Sequence, residues 1–327
     1  MRIAVTGSIA TDHLMVFPGR FADQLVADRL EHVSLSFLAD RLDIRRGGVA
    51  ANIAFGLGRL GLSPLLVGAV GDDFEPYRVW LKGHGVDTDS VHVSTERHTA
   101  RFVCTTDADQ NQIATFYAGA MAEARTISLA RVAARSGGLD LVLVSPNDPE
   151  AMLRHTAECR ELGARLAADP SQQLARLERD EVRTLIDHSD MLFTNAYESV
   201  LLQERSGWTE QQVLGRTRLW VTTLGADGCR IQRAGARTLD VPAVPATSVA
   251  DPTGVGDAFR AGFLAGVAWG TDIERAAQLG SALATTALET VGTQEYEPER
   301  DDLLLRLSEA YGPTAADALA AHLSRAL

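Results

Sequence analysis

Compact apolar runs and amphipathic segments of helical spacing alternate along most of the chain. Ile3 to Ile9 predicts a buried first strand. A helix is expected over 49–60, then a strand over 64–70, a helix over 73–82 and a strand over 90–94. From 140 the order is strand 140–145, helix 149–161, strand 165–168, helix 179–187, strand 190–194, helix 195–204 and strand 218–223. A glycine-containing hairpin over 228–240 and helices over 256–269, 273–289, 299–311 and 313–326 complete the pattern. Strands alternating with helices predict an α/β fold: a central, mostly parallel sheet flanked by helices.

Two segments depart from that alternation. In the first, Val33, Leu35 and Phe37 alternate with Ser34, Ser36 and Leu38, the period of a two-faced strand. In the second, Ala100–Thr106 and Gln112–Tyr117 flank a polar turn at Asp107–Asn111, which predicts a hairpin. Residues 13–46 and 98–118 are therefore expected to form a small β-sheet standing off a main domain built from 1–12, 47–97 and 119–327.

Composition narrows the function. A chain of 327 residues with 46% hydrophobic residues suits one large domain, or a domain with a small appendage. Its net charge of −12 argues against nucleic acid or an anionic membrane as the main partner. Lys82 is the only lysine, which excludes a P-loop, so bound phosphates must be held by backbone N–H groups, arginine and metal. Cys104, Cys159 and Cys229 fit no zinc spacing and are read as reduced thiols in a cytoplasmic protein. The first apolar run is too short for a signal peptide and ends at Asp12, and no window reaches membrane-spanning length.

The most informative segment is Asp251-Pro-Thr-Gly-Val-Gly-Asp257, followed at once by an apolar helical run. A glycine turn at a helix N-terminus aims several N–H groups at one point, and the helix dipole adds partial positive charge. Gly254, Gly256 and Asp257 thus read as an anion hole holding a carboxylate. That pairing suits a base that deprotonates a hydroxyl attacking a phosphoryl group. The same residues also make an ordinary helix start with an acidic first turn. Arg260 lies one turn on, placed either to meet phosphate or to serve as a salt-bridge partner.

This segment resembles the C-terminal signature of the ribokinase-like (PfkB-type) sugar and nucleoside kinases, Asp-x-x-Gly-Ala-Gly-Asp, with Val255 at the alanine. Gly47-Gly48-Val-Ala-Ala-Asn52 resembles the N-terminal signature of that family. The resemblance spans essentially the whole chain and implies a ribokinase-like fold in which the small sheet is a lid. It implies Asp257 as base, with Gly254 and Gly256 in the anion hole. Ser8, Asp12, Gly48 and Asn52 would bind the acceptor's hydroxyls. Asn195 and Glu198 would act on Mg²⁺ through water, although Asn195-Ala-Tyr-Glu198 is also a capping box in its own right. Thr223, Gly225 and Gly228, with Asn195 and Gly256, would face the nucleotide. Glu289 to Thr293 would lie near the adenine of ATP and a monovalent cation (K⁺).

The acceptor is indicated by fewer residues. Phe102 and Phe116 lie on the two strands of the expected hairpin, where a flat base would stack, or where two rings would simply fill a small core. Gln172 and Gln173 follow a short strand and carry amides able to read purine nitrogens or ribose hydroxyls. Segments 7–13, 33–38, 47–52, 100–106, 169–176 and 251–263 resemble more closely the adenosine kinases of actinobacterial type. This resemblance implies adenosine and ATP as substrates, AMP as product, and a homodimer joined through the lid, with Ser36 reaching a neighbour's site. The alternative is a ribokinase or another sugar kinase of the same fold. Gly56-Leu-Gly58-Arg-Leu-Gly61 matches the dinucleotide-binding pattern, but it ends a helix and precedes a strand, the reverse of the required context.

Overall fold

The computed structural model describes residues 1–24 and 34–327. In chain order its strands are β1 (Ile3–Thr6), β2 (Ala10–Val16), β3 (Arg41–Gly47), β4 (Leu65–Val67), β5 (Ala69–Val70), β6 (His92–Val93), β7 (Ala100–Thr106), β8 (Gln112–Tyr117), β9 (Leu141–Val144), β10 (Arg165–Ala168), β11 (Met191–Asn195), β12 (Trp220–Thr223), β13 (Cys229–Gln232) and β14 (Leu239–Val241). The helices are α1 (Phe21–Gln24), α2 (Val49–Arg59), α3 (Glu75–Gly83), α4 (Leu129–Ser136), α5 (Pro149–Glu161), α6 (Arg179–Ile186), α7 (Ala196–Ser206), α8 (Glu210–Leu214), α9 (Val255–Trp269), α10 (Ile273–Leu288), α11 (Arg300–Tyr311) and α12 (Pro313–Ala326).

Eight strands form the main sheet in the order β14-β13-β12-β11-β10-β9-β1-β4, parallel from β4 to β12 and antiparallel beyond. Successive residues of β1 point to opposite faces. Ile3 and Val5 join a core with α2, α9 and α10, while Ala4 joins a second core with α4 to α7. The fold is the helix-covered α/β sheet that the alternation predicts. No helix among the described residues is long and apolar enough to cross a membrane.

The expected strand over 3–9 is in fact two strands in two sheets. After Thr6 the chain leaves the main sheet through a tight crossing, where a Cβ on Gly7 would lie 2.0 Å from Ser145 Oγ. It enters the second sheet at Ala10. Asp12 therefore stands inside β2 rather than at the end of the first strand. The expected strand 64–70 likewise divides into β4 and β5 at Gly68, where a Cβ would meet the Gly7 carbonyl at 2.7 Å.

The second sheet has the order β3-β2-β7-β8. Its first strand, β3, alternates charge with apolar residues (Arg41, Asp43 and Arg45 against Leu42 and Ile44), which hides it from a search for apolar runs. Residues 34–39 are not a strand. Their burial alternates, with Leu35 and Phe37 half-buried and Ser34, Ser36 and Leu38 exposed, but they pair with no other strand among the described residues. Phe37 packs instead on Phe17 and Phe21, ring centroids 5.0 and 4.9 Å away. His32 and Val33 of the expected strand lie outside the described residues.

Candidate active site

Two adjacent glycines let the second sheet approach α2. Gly48 has φ +94°, and a Cβ there would lie 2.6 Å from the Ser8 carbonyl oxygen. A Cβ on Gly47 would lie 2.8 Å from Asp12 Oδ2. Since Gly48 has no side chain to cap α2, Ser8 does so from the crossing loop, its Oγ accepting from Val49 N–H at 3.0 Å.

Register across the second sheet aligns the next group. Asp12 pairs with Arg45 on β3 and with Phe102 on β7, and Phe102 pairs with Phe116 on β8. Arg45, Asp12, Phe102 and Phe116 thus form one row on one face, a carboxylate beside two aromatic rings. His13, one residue on, belongs to the opposite face. The row is tied to the main domain through Arg45 Nη1, 3.2 Å from Asp251 Oδ2. Asp251 also accepts from the N–H groups of Thr253 and Gly292, at 2.9 and 3.1 Å.

Asp257 sits in the first turn of α9, behind Gly254 at φ +77°. The first helical hydrogen bond is from Ala258 N–H to the Gly254 carbonyl. Among the described residues, no protein acceptor takes the N–H groups of Gly254, Val255, Gly256 or Asp257. Asn52 Nδ2 donates to Asp257 Oδ2 at 2.8 Å, leaving Oδ1 without a protein donor. The Asn52 carbonyl oxygen is occupied as well, accepting from Gln294 Nε2 at 2.9 Å with Thr293 Oγ1 at 3.0 Å. Asn52 therefore turns its amide chiefly inward, toward Asp257.

The ends of the parallel strands carry the remaining groups. Asp169 follows β10 and is fully buried with Arg260, in a two-pronged ion pair with both contacts at 2.7 Å. Arg260 Nη1 also donates to the Gly256 carbonyl at 3.0 Å. Of its two possible roles, the salt bridge is the one the structure displays. Asn195 and Thr223 are register partners at the ends of β11 and β12, with Gly225 and Gly228 in the turn beyond. A Cβ on Gly228 would lie 2.1 Å from the Val241 carbonyl oxygen, so this glycine is needed for close backbone approach.

Glu198 fits a water-mediated contact to a divalent cation better than direct ligation. Its Oε2 closes the capping box on Asn195 N–H at 2.8 Å, and its Oε1 accepts from Ser171 Oγ at 3.0 Å. Each oxygen keeps a lone pair, while Asn195 Oδ1 is committed to the Glu198 N–H.

One cavity of about 490 Å³ gathers most of these residues. Its walls include Ser8, Asp12, Gly48 and Asn52 from the crossing and α2, Phe102 and Phe116 from the second sheet, Gln172 and Gln173 after β10, and Gly254 and Asp257 at α9. Ser36 is exposed and lines no part of it. Asn195, Glu198, Thr223, Gly225 and Gly228 also lie outside its walls. Met121, Arg176 and Thr253 line the cavity too; Thr253 lies inside the 251–257 motif and Arg176 ends the 169–176 segment, while Met121 carries no sequence signal. Gln173 Nε2 donates to the Asn147 carbonyl at 2.8 Å, and its Oε1 is buried without a partner.

Residues 9–300 match the model of the pfkB family carbohydrate kinases. The chain belongs to the pfkB family. It is also 32% identical over 295 residues to the nucleoside kinase of Methanothermobacter thermautotrophicus, covering 87% of this chain and 92% of that protein. The structure is similar to Burkholderia thailandensis nucleoside kinase in complex with inosine (TM-score 0.82, 32% identity, 95% and 98% of the two chains). It is similar as well to that kinase in complex with ADP-inosine (TM-score 0.80, 33% identity, 95% and 96%).

Burial dominates the electrostatics of this pfkB kinase. It pushes Asp257 up to about 7, against the opposing pull of Asn52 and Arg260. It pushes Asp12 up to about 6, against the nearby Arg45. Both acids hold protons in the folded state that they release in the unfolded one. Their contribution to stability is therefore full below the unfolded value of 3.8 and is lost as pH rises through about 6 to 7. With Asp257 in the role of base expected from the sequence, it would have to be ionised to act, so activity would run the other way. We expect kcat/KM to fall on the acid side of about pH 7, and more steeply below about 6, where Asp12 also takes up its proton. A kcat/KM profile flat from pH 5 to 8 would contradict the assignment of Asp257 as base.

Proposed function

We propose that this kinase phosphorylates adenosine, moving the γ-phosphoryl group of ATP to the 5′-hydroxyl to give AMP and ADP, a step of purine salvage. The observation that carries the reading is the row of Asp12, Phe102 and Phe116 on one wall of the cavity that holds Asp257. A carboxylate suits a ribose diol, and a pair of rings suits a flat base. A free sugar has no use for the rings. The similarity to nucleoside kinases supports a nucleoside over a sugar. Adenosine as the nucleoside is supported by the resemblance of segments 7–13, 33–38, 47–52, 100–106, 169–176 and 251–263 to adenosine kinases of actinobacterial type.

In this reading Asp257 Oδ1 accepts the 5′-hydroxyl proton as that oxygen attacks the γ-phosphorus. The free N–H groups at the start of α9 stabilise the charge on the transferring group. Glu198 would hold the water shell of a magnesium ion bound with ATP, Asn195 fixing that carboxylate through the capping box, and the ion would supply charge neutralisation at the phosphate oxygens. Thr223, Gly225 and Gly228 would cradle the nucleotide with backbone, and the Glu289–Thr293 segment would lie by its base and a potassium ion. The second sheet closes as a lid and excludes water. Its outer face exposes Leu42, Ile44 and Ile113, which supports a homodimer through the lid in which Ser36 faces the partner's site.

The test is ATP-to-ADP turnover with Mg²⁺ over adenosine, guanosine, inosine, ribose and fructose. Adenosine-dependent turnover is expected to dominate. Turnover with ribose alone would make the aromatic pair a packing feature and favour a sugar kinase. Phe102→Ala should raise KM for adenosine about 5- to 150-fold, the equivalent of roughly 1–3 kcal/mol of stacking, with little change for ribose. Equal changes for both acceptors would refute the stacking role.

A further inference from the structure

Asn52 can face Asp257 in two ways: with its NH₂, which favours a carboxylate, or with its oxygen, which requires a protonated acid. Which one holds is decided at the far end of a hydrogen-bond chain. Tyr77, on α3 and fully buried, donates its hydroxyl proton to the Gly47 carbonyl at 3.0 Å. A carbonyl oxygen only accepts, so the Tyr77 oxygen is left as an acceptor. Gln294 Nε2 fills that role with one hydrogen and uses the other on Asn52 Oδ1 at 2.9 Å. Asn52 must then present Nδ2 to Asp257 Oδ2, at 2.8 Å. Thr293 Oγ1 also meets Asn52 Oδ1 at 3.0 Å, but it lies 2.8 Å from the Arg46 carbonyl and can place its one proton on either, so the arm with a single arrangement is the one anchored on the Gly47 carbonyl. The other side of the Gln294 amide, Oε1, is left buried and unpartnered, as expected if its orientation is dictated by the chain rather than by its own best bonding.

We propose that Tyr77 and Gln294 are positioning residues: anchored on the Gly47 carbonyl, they set the polarity of a buried hydrogen-bond chain so that Asn52 donates to Asp257 and keeps it a carboxylate. The inference rests on the reading of Asp257 as the base. Its sign agrees with the surroundings of that group. Arg260 on α9 favours the charge, and Asp169 after β10 and Glu198 on α7 oppose it. Among the described residues, Asp12 on β2 and Arg176 after β10 are the other titratable groups lining the cavity, and the buried Tyr296 packs nearby. Among the described residues Asn52 is the only protein group that donates directly to the Asp257 carboxylate, so reversing it has no other donor to compensate.

The test reads the base itself. In protein carrying ¹³C-labelled aspartate, the Asp257 carboxyl would be titrated in the wild type, Tyr77→Phe and Gln294→Met, its resonance assigned with Asp257→Asn. The acid limb of the kcat profile with adenosine would be measured alongside. Tyr77→Phe removes the anchor and frees the chain to reverse, while Gln294→Met breaks it. Both should raise the Asp257 midpoint by about one pH unit, the scale of a hydrogen bond to a charged group. The acid limb of kcat should move with it, and KM should stay within about threefold of wild type on that basis. A midpoint unmoved in whichever variant folds would overturn the proposal. So would a fall in kcat that is the same at every pH, which is what a purely structural role produces. A wild type whose Asp257 titrates near 7 yet transfers no phosphoryl group to any nucleoside would sink the proposed function. The carboxyl midpoints of the two variants would still decide whether the chain sets the charge of Asp257.

Discussion

Asp257→Asn will lower kcat by about two to four powers of ten, the range general-base catalysis contributes, and leave KM for adenosine within about threefold. The asparagine has the shape of the carboxylate and still offers an oxygen to Asn52 Nδ2, so the turn at Gly254 and the cavity wall have no reason to move. What it lacks is the basic Oδ1 that no protein donor occupies. The same substitution should leave stability at pH 8 unchanged or raised. A buried carboxyl pushed up to about 7 is destabilising when ionised, and the amide removes that charge. Single-turnover transfer with saturating ATP and adenosine, paired with urea unfolding, measures both effects. A kcat within tenfold of wild type would end the case for Asp257 as base.

Arg260→Ala will destabilise the fold by about 3–5 kcal/mol, because it strands Asp169 as an uncompensated buried carboxylate. Both partners are almost wholly inaccessible, and the contact is made twice at 2.7 Å. Its effect also reaches the reaction. The guanidinium donates to the Gly256 carbonyl in the first turn of α9, and its charge opposes the burial that raises Asp257. Losing it should loosen the first turn of α9 and shift the acid limb of activity to higher pH. The double change Arg260→Met with Asp169→Leu should recover much of the lost stability, since apolar pairs of similar volume replace buried ion pairs at little cost. It should not recover the pH profile. If Arg260→Ala unfolds at the wild-type urea midpoint, the pair is not a structural strut.

Much of this site was legible before any fold was known, because its residues sit in short local motifs. Glycine-glycine before a helix and glycine-x-glycine-aspartate at another helix start are backbone requirements written in sequence. The structure brings Gly48, Asn52, Gly254 and Asp257 to one cavity. The aromatic pair was legible as a hairpin, and register then put Phe102 and Phe116 opposite each other. Residues whose importance lies in a partner far along the chain gave no such signal. Tyr77 and Gln294 lie in none of the motifs, yet each is buried within one hydrogen-bond chain spanning 47 to 294.

By itself the chain determined the α/β alternation, the hairpin, the absence of a P-loop and the two glycine motifs, since propensity, periodicity and backbone freedom act within a few residues. Tertiary structure decided what depends on crossings and register. It split the first apolar run between two sheets at Gly7 and placed Asp12 in a row with Phe102 and Phe116. It left 34–39 without a pairing strand among the described residues, turned Arg260 onto Asp169, and turned the Asn52 amide onto Asp257. Hydrogen bonds and ion pairs are satisfied by whichever groups the packed chain brings within about 3 Å, and no local pattern records which those will be.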